Sequence, residues 1–278
     1  MSTGVMLLVL LGAALHAGWN LLVKSGSDKL LDTALVVAGS AVLAALLLPF
    51  LPAPAPASWP MLVASGVIHL AYFALVAAAY RAGDMSLAYP LMRGTPPLIV
   101  ALLAGVLLGE HLGTLGWVGV ALVSGGVLAM ALRRGVQAQG RSIAFALANA
   151  GVIATYTLVD GVGARLSGAP VAYTCWAFLL TAAFFLPFVA WQRPGALQRH
   201  LRTRWRTGLG AGCCTLGSYA LALWAMTQAP IAAVAALRET SILFGVALAA
   251  LVLRERPTPA RLAGAALIAG GAAVLRLA

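Results

Sequence analysis

Apolar runs that are each long enough to cross a lipid bilayer dominate the chain. A helix needs about 20 apolar residues to span the hydrocarbon core, and ten such runs follow one another with short connections. Charged residues make up 9% of the chain, against roughly 25% in an ordinary soluble domain. No Lys or Arg precedes the first run, which predicts a retained helix rather than a signal peptide. We therefore expect an all-α integral membrane protein with ten transmembrane helices, at residues 3–23, 31–51, 59–80, 86–109, 113–132, 142–162, 170–192, 206–227, 230–252 and 258–276.

Basic residues collect on alternate connections between the predicted helices. The even-numbered side carries only Arg165 and Arg276, whereas the odd-numbered side includes a dense basic loop at 193–206. Because cytoplasmic loops carry the excess of Lys and Arg, we expect a bacterial-type inner membrane protein with cytoplasmic odd loops and both termini outside. The net charge of +11 is then explained by topology and by anionic lipid, without a nucleic-acid partner. The basic residues of the odd connections are Lys24, Lys29, Arg81, Arg133, Arg134, Arg141, Arg193, Arg199, Arg202, Arg204, Arg206, Arg254, Arg256 and Arg261.

A shift of 145 residues superimposes the second half of the sequence on the first. Five helices per copy force the second copy to enter the membrane upside down, which predicts two inverted five-helix repeats with a substrate site at their interface. We expect a first repeat over 1–134, a cytoplasmic joint at 135–141 and a second repeat over 142–278. The matched pairs are Ala88 and Ala233, Arg93 and Arg238, Thr95 and Thr240, Leu98 and Leu243, Glu110 and Glu255, Gly119 and Gly264, Gly125 and Gly270, and Gly126 and Gly271.

Two arginines occupy equivalent positions inside the fourth and ninth apolar runs. A charge near the bilayer centre is costly, so Arg93 and Arg238 are expected to face the protein interior or a wet cavity. The planar guanidinium suits a carboxylate, phosphate or phosphonate. Glu239 is turned about 100° from Arg238 on a helix, which favours a contact with Arg93 across the interface. Substrate contact and a fixed pair with Glu239 both remain open for the arginines, and Glu239 is also the candidate for proton coupling.

Further polar and aromatic residues are candidates for lining a pocket. His16, Trp19 and Asn20 share one face of the first helix at helical spacing, which indicates either a cavity lining or hydrogen bonds between helices. Their companions in the other helices are His69 and Tyr72 of the third and Tyr156 of the sixth, with Asn149, Tyr173, Trp176, Tyr219 and Trp224 as weaker cases. Asp160 lies near a predicted helix end and is expected to be solvated, and Glu110 is expected to end the fourth helix at the membrane interface.

The fourth run contains three prolines close to Arg93, in Tyr89-Pro-Leu-Met-Arg-Gly-Thr-Pro-Pro97. Each proline removes a backbone donor and disfavours the hydrogen bond to the residue four positions back. We therefore expect this helix to be bent or interrupted around Arg93. Broken backbone at membrane depth is tolerated where it is buried in protein or lines a cavity, although a proline kink can also serve packing alone.

Signatures of enzymes and of cofactor sites are absent from the sequence. There is no Walker A loop, no His-Glu-x-x-His and no Gly-x-Ser-x-Gly. The four histidines lack the spacing of metal ligands, and the three cysteines fall in apolar runs, as expected of small packing residues. We expect neither catalysis, nor a metal, nor a cofactor, and without a Walker A site uphill transport must use a gradient.

The chain as a whole resembles the EamA family of the drug/metabolite transporter superfamily. The resemblance is carried by the two five-helix halves, by the helix ends Leu-Leu-Gly-Glu110 and Val-Leu-Arg-Glu255, and by the glycine-rich helices that follow them. The stretches 16–20, 89–94 and 236–241 are similar to a subgroup that includes proteins associated with phosphonate utilisation. The resemblance implies a secondary transporter whose fourth and ninth helices line a central cavity. In the related plastid phosphate translocators basic residues of these helices hold phosphate, which implies the same role for Arg93 and Arg238.

The sequence thus predicts a secondary transporter that moves a small anionic or zwitterionic metabolite, such as an organophosphonate, amino acid or related carboxylate, by alternating access. A carrier of amines or quaternary ammonium ions, with aromatic faces and Glu239 as ligands, is the alternative within transport. A membrane assembly partner or sensor that transports nothing is the alternative of another class. The glycines of the fifth and tenth helices fit close helix contacts either within a monomer or in a homodimer.

Overall fold

The computed structural model describes residues 1–25, 28–83, 85–130, 140–252, 254 and 258–278. In these residues the regular structure is entirely helical, with two short 3₁₀ turns at Leu48–Phe50 and Pro56–Ser58. The predicted all-α class is therefore confirmed. The helices are α1 (Thr3–Ser25), α2 (Lys29–Leu47), α3 (Trp59–Ala82), α4 (Met85–Gly94), α5 (Pro96–Leu108), α6 (Thr114–Ala129), α7 (Gly140–Ser167), α8 (Pro170–Gln192), α9 (Ala196–Gln228), α10 (Ile231–Arg238), α11 (Ser241–Val252) and α12 (Pro259–Leu277).

Nine segments of the described chain are long and apolar enough to cross a membrane. Two of them, Leu87–Leu108 and Ile231–Val252, each combine a pair of short helices. The helix Thr114–Ala129 is apolar but shorter, and the end of the fifth predicted span, with most of the predicted joint, lies outside the described residues. Long apolar side chains such as Val106 (81% exposed) and Leu251 (79%) cover the outer surface. An apolar exterior of this kind fits lipid rather than water, so the chain is a multi-pass membrane protein.

The fourth span is interrupted where the prolines predict it. Thr95 separates α4 from α5, and α5 begins with Pro96 and Pro97 in its first turn, where a missing N–H costs least. The two prolines cannot donate to the carbonyls of Met92 and Arg93. The next amides, those of Leu98 and Ile99, both donate to the Thr95 carbonyl, at 3.2 and 3.3 Å.

The ninth span is also interrupted, which the sequence analysis did not predict. Its break lies at Glu239 and Thr240, and Thr240 is the residue 145 positions after Thr95. Here no proline is involved. The amide of Thr240 donates to the Leu237 carbonyl at 3.0 Å, and its hydroxyl donates to the same carbonyl at 2.7 Å. A threonine hydroxyl that competes for backbone groups in this way loosens a helix.

Two helices are longer than predicted, and this changes the setting of several charged residues. The sixth predicted span was to end at residue 162, but α7 continues to Ser167 and includes Arg165 in its last turn. The basic stretch 193–206 was expected to be a loop. From Ala196 onward it is part of α9, with a kink at Arg204 (φ −120°, ψ 20°). Periodicity alone missed these turns because charged residues end an apolar run without ending a helix.

The helices α6 and α12, which correspond under the 145-residue shift, cross at glycines. A Cβ on Gly126 would lie 2.7 Å from the Gly264 carbonyl oxygen, and a Cβ on Gly119 would lie 3.1 Å from that of Gly271. Glycine is therefore required for this approach. Higher residue numbers in α6 meet lower numbers in α12, so the two helices are antiparallel. The shift converts each of these contacts into the other, as a two-fold relation requires.

Candidate functional site

A small cavity lies between the two helix breaks, in the middle of the bundle. The space that a water-sized sphere can occupy there is about 20 Å³, which is enough for roughly one water molecule. The cavity is therefore much smaller than a metabolite, and it needs to widen before it can bind one. The residues that line it are Arg93, Pro96, Pro97, Val100, Ile153, Tyr156, Thr157, Ala235, Arg238 and Glu239.

Arg93 and Glu239 form an ion pair across the cavity. Nη2 of Arg93 lies 3.1 Å from Oε2 of Glu239, and the side chains are 16% and 7% exposed. This is the contact that the helical angle between Arg238 and Glu239 predicts. The two groups are close but poorly aligned, because Nε of Arg93 and Oε2 of Glu239 make no hydrogen bond to any described residue. The pair thus neutralises two buried charges while leaving hydrogen-bonding capacity unused.

Arg238 has a different partner. Its guanidinium carbon lies 5.1 Å from the centre of the Tyr219 ring, a cation–π arrangement. Among the described residues no carboxylate lies within ion-pair distance of it. The guanidinium also lines the cavity. Arg238 therefore lines the cavity without a direct ion-pair partner among the described residues.

Asp160 is buried and not solvated, which corrects the sequence expectation. Its side chain is completely enclosed because α7 extends well beyond it. The hydroxyl of Tyr173 donates to Oδ1 at 3.1 Å, and that of Tyr219 donates to Oδ2 at 2.5 Å. Gly163 makes room for Tyr173, since a Cβ there would overlap the tyrosine ring. From sequence, Tyr219 and Tyr173 are weaker candidates because tyrosines also anchor helices at membrane interfaces.

The other predicted pocket residues form two clusters, of which only Tyr156 lines the cavity. His69 stacks on Tyr156 with ring centres 4.5 Å apart, and Tyr72 meets Tyr156 edge-on at 6.0 Å. In α1, Nε1 of Trp19 donates to Nδ1 of His16 at 3.3 Å, and Nδ2 of Asn20 donates to the His16 carbonyl at 2.8 Å. These three residues therefore make hydrogen bonds to one another within α1.

A charged network lies at one end of the bundle, which we call the Glu110 end. Oε1 of Glu110 lies 2.6 Å from Nη2 of Arg165, and Oε2 accepts a hydrogen bond of 2.8 Å from the amide of Ile231, which begins α10. Arg165 also donates to the carbonyls of Met226 and Ala229, at 2.7 and 3.0 Å. Glu110 therefore does more than end a helix at the interface, because it connects the first half to three elements of the second.

At the opposite end Asp32 connects α2 to α9. Its Oδ1 lies 3.0 Å from Nε2 of His200 and 2.6 Å from Nη1 of Arg204. The chain ends lie away from this network, with Arg276 donating to the Met1 carbonyl at 3.3 Å and to the Thr3 hydroxyl at 2.7 Å. Glu255, the residue matched to Glu110, lies outside the described residues.

Comparison with known proteins agrees with the observed fold. The EamA-like transporter family matches residues 3–132 and 140–277. Among 29 matching chains of solved structures, one that is described only as a crystal structure of a protein is 20% identical. It covers 97% of this chain, which covers 98% of it, with a TM-score of 0.74. At that identity the likeness shows the fold alone. No curated protein matches the chain.

The fold and site define a multi-pass helical membrane protein with a charged cavity between two interrupted helices. The chain belongs to the EamA-like transporter family, which matches nearly its whole length. It is thus a membrane transporter of the drug/metabolite type, in a family whose members are transporters rather than enzymes.

Proposed function

We propose that this chain is a secondary transporter of a small anionic or zwitterionic metabolite, such as an amino acid, a related carboxylate or an organophosphonate. The observation that carries the proposal is Arg238, a permanently charged fork that lines the central cavity with an aromatic ring beside it and no described carboxylate within ion-pair distance. An acid group of the substrate becomes its direct ion-pair partner and accepts hydrogen bonds from the guanidinium.

Helix α7 places further binding groups in the lining of the same cavity. Tyr156 and Thr157 supply hydroxyl groups for a second polar group on the substrate. Arg93 is held by Glu239 in this conformation. As the cavity widens, either member of that pair becomes free to contact substrate, and Glu239 is then the group through which a proton would be coupled.

We infer that the carrier works as ten spans in two inverted repeats, with α4 and α5 forming one span and α10 and α11 its counterpart. The antiparallel, reciprocal contact of α6 and α12 supports this arrangement. Packing at the two ends differs: α10 packs against α5 and α6, and α4 makes no comparable contact with α11 or α12. That asymmetry supports a conformation closed at the Glu110 end, which the distribution of basic residues assigns to the outside of an inner membrane.

A carrier of amines has less support from this geometry. The carboxylate that lines the cavity, Glu239, is already paired with Arg93, and the face of Tyr219 is occupied by Arg238. A protein without transport activity has no use for a cavity arginine that has no described carboxylate within ion-pair distance. An anionic or zwitterionic substrate uses each of these groups.

The proposal is tested by uptake into proteoliposomes that contain the purified protein. The panel comprises alanine, lactate, 2-aminoethylphosphonate and choline, with protein-free liposomes as the blank. Saturable uptake of one of the first three, without uptake of choline, is the expected result. Saturable uptake of choline alone would assign the carrier to amines, and uptake of none above the blank would reject the proposed substrate class.

A further inference from the structure

Three arginines of the described bundle have a carboxylate within ion-pair distance. Arg93 has Glu239, Arg165 has Glu110, and Arg204 has Asp32. Arg238, which lines the cavity, has none among the described residues. A further carboxylate, Asp160, is linked to it by Tyr219, whose ring faces the guanidinium and whose hydroxyl donates to Oδ2.

Asp160 is the carboxylate that can offset the charge of Arg238 from behind the cavity lining. Both of its oxygens accept hydrogen bonds from tyrosine hydroxyls, and an ionised carboxylate is an acceptor at both oxygens. The enclosed side chain and the absence of Asp160 from the cavity lining mean that a substrate in the cavity does not touch it. Its effect on the substrate is therefore electrostatic, transmitted through Tyr219 and Arg238.

The charges of the cavity lining and of Asp160 behind it therefore sum to zero. Arg93 and Arg238 contribute two positive charges, and Glu239 and Asp160 contribute two negative charges. Both kinds of substrate lose hydration on entering an enclosed site, but only the anion also leaves the site with a net charge, which is costly in low dielectric. A site with this balance favours substrates whose acid group is accompanied by an ammonium group.

We propose that Asp160 is a specificity-determining residue, which balances Arg238 through Tyr219 and thereby makes the cavity prefer a zwitterion to the anion of the same shape. This inference rests on the proposed function and names its substrate class more narrowly. Removing the charge of Asp160 leaves an excess positive charge at the site and shifts the preference toward the anion.

Matched pairs that exchange an ammonium for a hydroxyl group test the inference. They are alanine and lactate, β-alanine and 3-hydroxypropionate, and 2-aminoethylphosphonate and 2-hydroxyethylphosphonate. In wild-type proteoliposomes the ammonium member of each recognised pair is expected to inhibit uptake of the best substrate of the panel at a lower concentration than the hydroxyl member. The ratio of the two inhibition constants is expected to fall by about tenfold or more in Asp160→Asn. Removing a unit charge close to a partly desolvated site is worth about that factor.

Two variants control for damage to the fold. Asp32→Asn removes a buried carboxylate that contacts His200 and Arg204 at the opposite end of the bundle, so the ratio is expected to match wild type. Asp160→Glu is expected to restore the preference that Asp160→Asn loses. A wild-type preference for the hydroxyl members would overturn the inference without any variant, and so would an unchanged ratio in a folded Asp160→Asn protein. If no member of any pair competes, both the inference and the proposed function fail.

Discussion

Arg93 and Glu239 lie 3.1 Å apart and belong to opposite halves of the chain, each beside the interruption of its own helix. The pair therefore ties the two broken helices together at the centre of the bundle. Both groups are buried, so the pair brings two charges out of water and stabilises the bundle only while both are present.

Substituting one member of this pair is expected to cost more stability than half of what substituting both members costs. Arg93→Gln or Glu239→Gln alone leaves one uncompensated buried charge and is expected to lower the free energy of unfolding by about 3–5 kcal/mol. The double variant leaves two neutral amides and is expected to lose markedly less than the sum of the single variants. Unfolding by SDS in mixed micelles measures these differences, and simple additivity would show that the two residues do not interact.

The Glu110–Arg165 ion pair is expected to hold its end of the bundle closed. In a background without native cysteines, Thr157→Cys places a reporter thiol in the cavity. Glu110→Gln or Arg165→Gln is expected to increase labelling of this thiol by about fivefold or more when a membrane-impermeant maleimide is applied from the Glu110 end. The reason is that a loss of about 1 kcal/mol from the closed state changes the ratio of open to closed protein by that factor.

The matched control for the closing contact is Asp32→Asn, which removes a buried carboxylate at the opposite end of the bundle. Labelling from the Glu110 end is expected to stay at the wild-type rate in this variant. The exchanged pair Glu110→Arg with Arg165→Glu is expected to recover part of the protection. Equal labelling in all of these proteins would mean that Glu110 and Arg165 do not close the path.

The glycine contacts of α6 and α12 are expected to tolerate no side chain. A Cβ on Gly264 would lie 2.6 Å from the Gly126 carbonyl oxygen, whereas nothing lies within 4 Å of a Cβ on Gly270. Gly264→Ala is expected to destabilise the protein by about 1–3 kcal/mol through overpacking. Gly270→Ala, in the same helix, is expected to be neutral or slightly stabilising because alanine favours the helix. Thermal unfolding in detergent separates the two, and equal midpoints would contradict the close packing.

Much of the fold follows from the sequence because lipid imposes simple rules. Apolar length predicts the spans, and the prolines at 96 and 97 predict the break in the fourth span. The break at Thr240 has no such mark, since a threonine hydroxyl interrupts a helix only in a suitable packing environment. The match of Thr240 to Thr95 under the repeat is the signal that could have predicted it.

The site is less predictable than the fold because partners depend on packing. Helix geometry already favours the pairing of Glu239 with Arg93, because the angle of about 100° between neighbouring residues turns Glu239 away from Arg238. The setting of Asp160 depends on how far α7 continues and on tyrosines from α8 and α9. Likewise His16, Trp19 and Asn20 satisfy one another within α1, an outcome that spacing alone does not distinguish from a cavity lining.

The central claim is that the Arg238 guanidinium binds the acid group of the substrate, and one substitution tests it directly. Uptake of the best substrate of the panel is compared between wild type and Arg238→Gln, at equal amounts of folded, inserted protein and with Gly270→Ala as the control. The account predicts that Arg238→Gln raises KM by about tenfold or more, as expected when a charge-assisted hydrogen bond of at least about 1.4 kcal/mol is lost, while Gly270→Ala matches wild type. Unchanged KM and maximal rate in Arg238→Gln would contradict it.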